Sequence, residues 1–197
     1  VLGETLITGI GQGYTQTTPI QLCLMTAQIA NGGYKIQPRI LTDDNQLTSE
    51  QVKKAMQDSK LNDFYEPLYD DQKNIRIVQE AMFSSTNEIM GTSYKSRIDD
   101  PKYQFAGKTG TAQVKRISKR ERELDLKTFQ IPYEERDHAL YVAYGPYVNP
   151  RYALSIIVEH GGSGSKAAAP MATKLFKLIV DRHEYRKKLP DYKDFSI

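Results

Sequence analysis

The sequence has a single cysteine, Cys23, no tryptophan and only three histidines in 197 residues. One cysteine excludes an internal disulfide. It lies in an apolar helical stretch, which fits a buried small hydrophobe better than a reactive thiol. No set of His, Cys, Asp and Glu has metal-ligand spacing, so no metal is expected, nor any other cofactor. No apolar run approaches the ~20 residues that cross a bilayer, and no signal peptide is visible. Neither sign of charge dominates. The formal net charge is +3, too small to argue for nucleic acid by itself. The richest basic run, KRISKRERELDLK at 115–127, interleaves acids with bases and has no aromatic side chains on which bases could stack. It reads as a solvated loop or short surface helix, and no nucleic-acid partner is expected.

What is present fits one globular domain of ordinary size: 39% hydrophobic and 26% charged residues. Residues 1–18, rich in Gly and Thr, read as irregular. A helix follows, with Thr18 as its cap and Pro19 in its first turn. Ile20, Cys23, Leu24 and Ala27 share one face of it, and Asn31-Gly32-Gly33 supplies a left-handed stop. YKIQPRIL at 34–41 is extended, but Pro38 limits it to an edge strand. Residues 42–72 are polar and give no clear element. The next helix runs from about Asp71 to Met90, with Ile75, Val78, Met82 and Ile89 inward and Gly91 at its end. Strands are expected at 104–114, 138–147 and 151–160. Only Val148-Asn149-Pro150 separates the last two, so they should form an antiparallel hairpin. GGSGS then breaks the chain, and a last helix at 166–183 should turn Met171, Leu175, Leu178 and Ile179 inward. The order predicts an α/β chain of the α+β kind, an antiparallel sheet flanked by helices.

The stretch QFAGKTGTAQV, 104–114, carries the chemistry. Gly107-Lys108-Thr109 could end a phosphate-binding loop, but the first glycine that such a loop needs falls on Lys102, and strand rather than helix follows. GIGQGY, 9–14, fails the dinucleotide fingerprint, because its third glycine arrives one position early. As an exposed strand edge, however, Lys108, Thr109, Gly110 and Thr111 present a cation, two hydroxyls and free N–H groups. That set suits an extended peptide with a carboxylate end, and a free N–H there could hold an oxyanion.

GIGQGYTQTTPIQLCLMTAQIANGG, FAGKTGTAQV and DHALYVAYGPYVNPRYALSIIVEHGGSGSKAAAPMATKLF together resemble the C-terminal half of a class B penicillin-binding protein transpeptidase domain. Asp137-His138 and Glu159-His160-Gly161-Gly162 favour its elongation branch, that of penicillin-binding protein 2. The resemblance implies the fold shared with serine β-lactamases. It also implies a peptidoglycan D,D-transpeptidase, in which a serine attacks the D-Ala-D-Ala end of a stem peptide and passes the acyl group to a neighbouring amine. β-Lactams acylate the same serine. Of the family's S-x-x-K, S-x-N and K-[ST]-G motifs, only the last maps here. By that resemblance Lys108 supplies positive charge, Thr109 and Thr111 hold the substrate carboxylate, Gly110 allows close approach, and the Thr111 N–H is half of the oxyanion hole.

Two strings mimic the missing motifs. Ser163-Gly164-Ser165-Lys166 follows K-T-G and lies in a glycine loop. Ser85-Thr86-Asn87 precedes it, at what should be a helix end. Neither is expected to be catalytic, and His138 and His160 are expected to be structural or solvent-facing rather than catalytic. The chain opens on VLGETLITGIGQGY, with neither an initiator methionine nor a targeting segment. Residues 1–197 are therefore expected to be the C-terminal part of one transpeptidase domain, folding at least in part yet unable to bind penicillin covalently, with S-x-x-K and S-x-N before Val1. In the complete protein the resemblance implies a membrane anchor, a catalytic domain on the periplasmic side of the bacterial inner membrane and a membrane glycosyltransferase partner from the elongation machinery. Two other readings remain at this stage: a serine β-lactamase or carboxypeptidase, and a non-catalytic interaction module.

Overall fold

The strand His138–Gly145 is covered on both faces, and the rest of the fold is arranged around it. In the computed structural model, residues 2–40, 50, 51, 54, 57, 58, 65–115, 123, 126–190 and 192 are described. Besides short 3-10 turns at Tyr94–Ser96, Thr128–Gln130 and Tyr133–Glu135, the described elements are α1 (Leu2–Gly9), α2 (Pro19–Ala30), α3 (Gln72–Asn87), β1 (Ala106–Ala112), β2 (His138–Gly145), β3 (Tyr152–Val158) and, after a π-helical turn at Gly164–Ala168, α4 (Ala169–Arg186). The strands form one antiparallel sheet in the order β1-β2-β3. Lys108 lies opposite Val142 and Thr111 opposite Ala139; across the hairpin, Tyr141 lies opposite Ile156. The expected hairpin, third strand and strand order are all present. No described helix is long and apolar enough to cross a membrane.

Because side chains alternate along a strand, β2 feeds two cores. Ala139, Tyr141 and Ala143 join Phe105, Ile98, Ala168, Ala169, Ala172 and Phe176 on the α4 face. Tyr144 and Val142 join Ala106, Met82, Ile29 and Ala30 on the face covered by α2 and α3. Phe105 and Phe176 stack with ring centroids 4.8 Å apart, and Tyr141 meets Phe105 edge-on at 6.4 Å. Phe176 is fully buried, so Phe176→Ala should cost about 3–5 kcal/mol of stability. Leu178→Ala, at a position 68% exposed, should stay within about 0.5 kcal/mol. Denaturant unfolding measures both, and a larger loss at Leu178 would reverse the assignment of the buried face.

That assignment corrects the sequence reading. Met171, Leu175 and Leu178 are exposed, and α4 buries Ala169, Ala172, Phe176 and Val180 instead. Stripes one residue apart differ by about 100° around a helix. Both are periodic, and the sheet selects the one with small alanines because Tyr141 and Phe105 already fill the space. In α3, Ile75 and Met82 are buried as expected, but Val78 is 40% exposed and Ile89 lies past the helix end, exposed. Thr86 is buried in place of a hydrophobe. In α2, the capping box of Thr18 and Gln21 is formed, while Ile20 is exposed and Thr26 is the buried residue. Cys23 is half-buried with its thiol near the Ala153 carbonyl at 3.5 Å, and burial pushes that thiol up from its usual pKa.

The segment read as irregular at 1–18 holds α1. The first proline comes only at position 19, and the helix ends in a turn at Gly11, which has φ 76° and donates to the Thr8 carbonyl. The left-handed stop after α2 falls on Gly32 and Gly33, at φ 91° and 93°. Among the described residues of the extended segment, 34–40, pairing is through an isolated bridge between Tyr34 and Pro67. Most of the polar stretch at 42–72 and of the basic run at 115–127 lies outside the described residues.

Candidate active site

β1 presents one of its edges to β2 and the other away from the sheet. In an antiparallel pair, alternate residues direct both N–H and C=O toward the partner, and the intervening residues direct both away. The carbonyls of Phe105, Gly107, Thr109 and Thr111 are all claimed by side chains. Asn87 Nδ2 donates to Phe105 O at 2.9 Å and Thr86 Oγ1 to Gly107 O at 3.4 Å. Lys108 Nζ donates to Thr109 O at 2.9 Å, and Gln12 Nε2 to Thr111 O at 3.0 Å. These odd-numbered residues therefore face outward, and the N–H groups of Thr109 and Thr111 face outward with them.

The first half of this edge is sealed by the end of α3. Beneath Gly107 runs a buried hydroxyl network. Tyr141 Oη shares hydrogen bonds with Thr86 Oγ1 at 2.9 Å and Ser93 Oγ at 3.1 Å, and Ser93 Oγ donates to Ser85 O at 3.0 Å. Burial pushes the Tyr141 hydroxyl up, against the opposing effect of its Ser93 and Thr86 hydrogen bonds, so it stays neutral; with the Thr86 proton on Gly107 O and the Ser93 proton on Ser85 O, Tyr141 is the donor to this pair. Gly107 is required here, since a Cβ at that position would meet a Tyr141 atom at 2.6 Å and its hydroxyl closer still. Past the seal, Thr92 Oγ1 and Thr109 Oγ1 share a 3.4 Å hydrogen bond, and Thr92 in turn meets Ser85 Oγ at 3.2 Å.

Lys108, Thr109, Gly110 and Thr111 are thus brought together on one strand, at the part of its edge beyond the seal. Lys108 and Thr111 are exposed, and Thr109 and Gly110 are half-buried. The backbone that closes on Gly110 from within the fold belongs to Gly164. A Cβ on Gly164 would lie 2.7 Å from Gly110 O and against Leu140 O. The loop after β3 therefore braces the K-T-G backbone from behind.

The look-alike strings have other partners. Ser163 Oγ shares its 3.1 Å hydrogen bond with Ser165 Oγ, and Lys166 is exposed in the π-helical turn. Thr86 and Asn87 hold the sealed half of β1. His138 and His160 bind each other: the His160 N–H donates to His138 Nδ1 at 2.9 Å, and His160 Nδ1 donates to Arg136 O at 3.0 Å. Their rings lie 4.7 Å apart, and the Tyr133 ring is tilted by 53° against His160 at 4.9 Å. The pair ties the start of β2 to the end of β3. Sequence reasoning missed Gln12, Thr86, Asn87, Tyr141 and Gly164 as supports of β1. Only the glycines of GGSGS and the unplaced GIGQGY gave any signal for them.

A strand edge with two outward N–H groups, two hydroxyls and a lysine is suited to a carboxylate and a developing oxyanion. Residues 1–177 match the penicillin binding protein transpeptidase domain family. A peptidoglycan D,D-transpeptidase MrdA of Haemophilus influenzae is 30% identical over 203 residues, covering 100% of this chain and 28% of that protein. Among solved structures, penicillin-binding protein 2 of Helicobacter pylori in complex with MreC is 29% identical with a TM-score of 0.68, over 93% of this chain and 28% of that one. Penicillin-binding protein 2 of Pseudomonas aeruginosa in complex with WCK 5153 is 31% identical with a TM-score of 0.61, over 98% and 36%. The chain spans little more than a quarter of the length of the curated relative it matches.

Proposed function

The chain belongs to the penicillin-binding protein transpeptidase family, and on that premise we propose that it is the K-T-G-bearing, C-terminal part of a peptidoglycan D,D-transpeptidase domain of the elongation branch. One observation carries this reading. The outward edge of β1 is sealed up to Gly107 by buried hydrogen bonds and leaves the N–H groups of Thr109 and Thr111 beside Lys108.

The substrate is the D-Ala-D-Ala end of a stem peptide. Its carboxylate sits on the hydroxyls of Thr109 and Thr111, under the charge of Lys108. A serine supplied from outside residues 1–197 attacks the carbonyl of the penultimate D-Ala, and its proton passes to a neighbouring base. The oxygen of that carbonyl becomes the oxyanion, and the Thr111 N–H donates to it. The C–N bond then breaks, D-alanine departs with the proton, and an acyl-serine ester remains. An amine of a second stem peptide attacks the ester, and the serine is released. A β-lactam acylates the same serine by opening its ring. The complete enzyme would be anchored in the bacterial inner membrane with this domain in the periplasm, working beside a membrane glycosyltransferase.

The test is to incubate the full-length protein with a fluorescent penicillin and map the adduct by mass spectrometry. One long-lived adduct on a serine outside 1–197 is expected, and Ser163→Ala should leave it unchanged. Labelling of Ser163 or Ser85 would overturn the assignment. Rapid turnover of penicillin would favour a β-lactamase instead.

A further inference from the structure

The GIGQGY turn, which fails as a nucleotide motif, meets the edge of β1 through one side chain. Gln12 is half-buried while Gly11 and Gly13 beside it are exposed. Both glycines have positive φ, 76° and 99°, and the Gln12 backbone N–H is held by Ile7 O at 3.1 Å. This turn folds back on the end of α1 and aims the Gln12 carboxamide at Thr111 O, 3.0 Å away. A carboxamide carries the N–H and C=O of a peptide group. Gln12 thus stands where the N–H of an added strand would bond.

A ligand residue whose C=O takes the Thr111 N–H is, in an antiparallel pair, the residue whose own N–H reaches Thr111 O. For an acyl donor, that N–H is carried on the carbon α to the reacting carbonyl. The penultimate D-Ala of the stem peptide has such an N–H, and so does a penicillin, in its acylamino group. Resting on the transpeptidase reading above, we propose that Gln12 is a displaceable cap on Thr111 O, and that it sets the affinity for acyl donors bearing an N–H on the carbon α to the reacting carbonyl. Gln12 acts on binding alone, because the N–H that would face the oxyanion lies on the other peptide group of Thr111.

The experiment compares benzylpenicillin with a carbapenem, whose hydroxyethyl group replaces the acylamino group, on the full-length protein. The variants are Gln12→Ala and Gln12→Met; the second keeps the bulk and removes the donor. Freeing one neutral hydrogen-bond acceptor should raise the second-order acylation constant for benzylpenicillin about threefold to tenfold. The whole gain should fall on the binding constant, with the rate at saturation unchanged and the carbapenem constants unmoved. Equal changes with both probes, no change, or selective slowing with benzylpenicillin would each overturn the proposal. A wild-type protein acylated by neither probe would instead refute the transpeptidase reading, and this inference with it.

Discussion

Replacing Lys108 by alanine in the full-length protein is expected to slow penicillin acylation by about 10²–10³-fold, the usual cost of deleting one preorganised electrostatic group from an active site. The fold should barely change. Lys108 is exposed on the strand, and among the described residues its Nζ bonds the neighbouring Thr109 carbonyl and, at 3.5 Å, the Thr109 hydroxyl. Surface substitutions of that kind usually stay within about 0.5 kcal/mol. Stopped-flow acylation and thermal unfolding separate the two effects. Acylation at the parental rate would make Lys108 a surface residue and remove the cation from the proposed site. A large fall in melting temperature would mean that the lysine holds the strand rather than the ligand.

A second large effect is expected from a residue that touches no substrate. Gly164→Ala should both destabilise the protein and disable acylation. Its Cβ would lie 2.7 Å from Gly110 O and against Leu140 O, and both oxygens are backbone atoms within the sheet. Neither can swing aside as a side chain would. Overpacking of this kind typically costs about 1–3 kcal/mol. The relief available is to push β1 outward, and a displacement of about 1 Å at a catalytic edge can cost about 10²-fold in rate. Gly3→Ala is the control, since nothing lies within 4 Å of a Cβ there. If Gly164→Ala is acylated like the parent, the loop does not brace the K-T-G strand.

By itself the sequence determined the elements whose signals are local. Two strand candidates separated only by Val148-Asn149-Pro150 specified the hairpin. Thr18-Pro19 and Asn31-Gly32-Gly33 bounded α2, the start of α3 was placed at about Asp71, and Lys108-Thr109-Gly110-Thr111 marked the strand with the chemistry. Each depends on a few neighbouring residues and on backbone preferences. What only the tertiary structure decided depends on partners far along the chain. Periodicity could not choose between the 171/175/178 and 172/176/180 stripes of α4, because the choice is made by Phe105 and Tyr141 on the sheet. Nor could spacing show that Thr86 and Asn87, which mimic an S-x-N motif, bond the Gly107 and Phe105 carbonyls from 21 and 18 residues away. The Gln12 contact spans 99 residues. Which edge of β1 stays open is settled by these long-range bonds, since every strand carries the same backbone groups and only packing determines which of them are already taken.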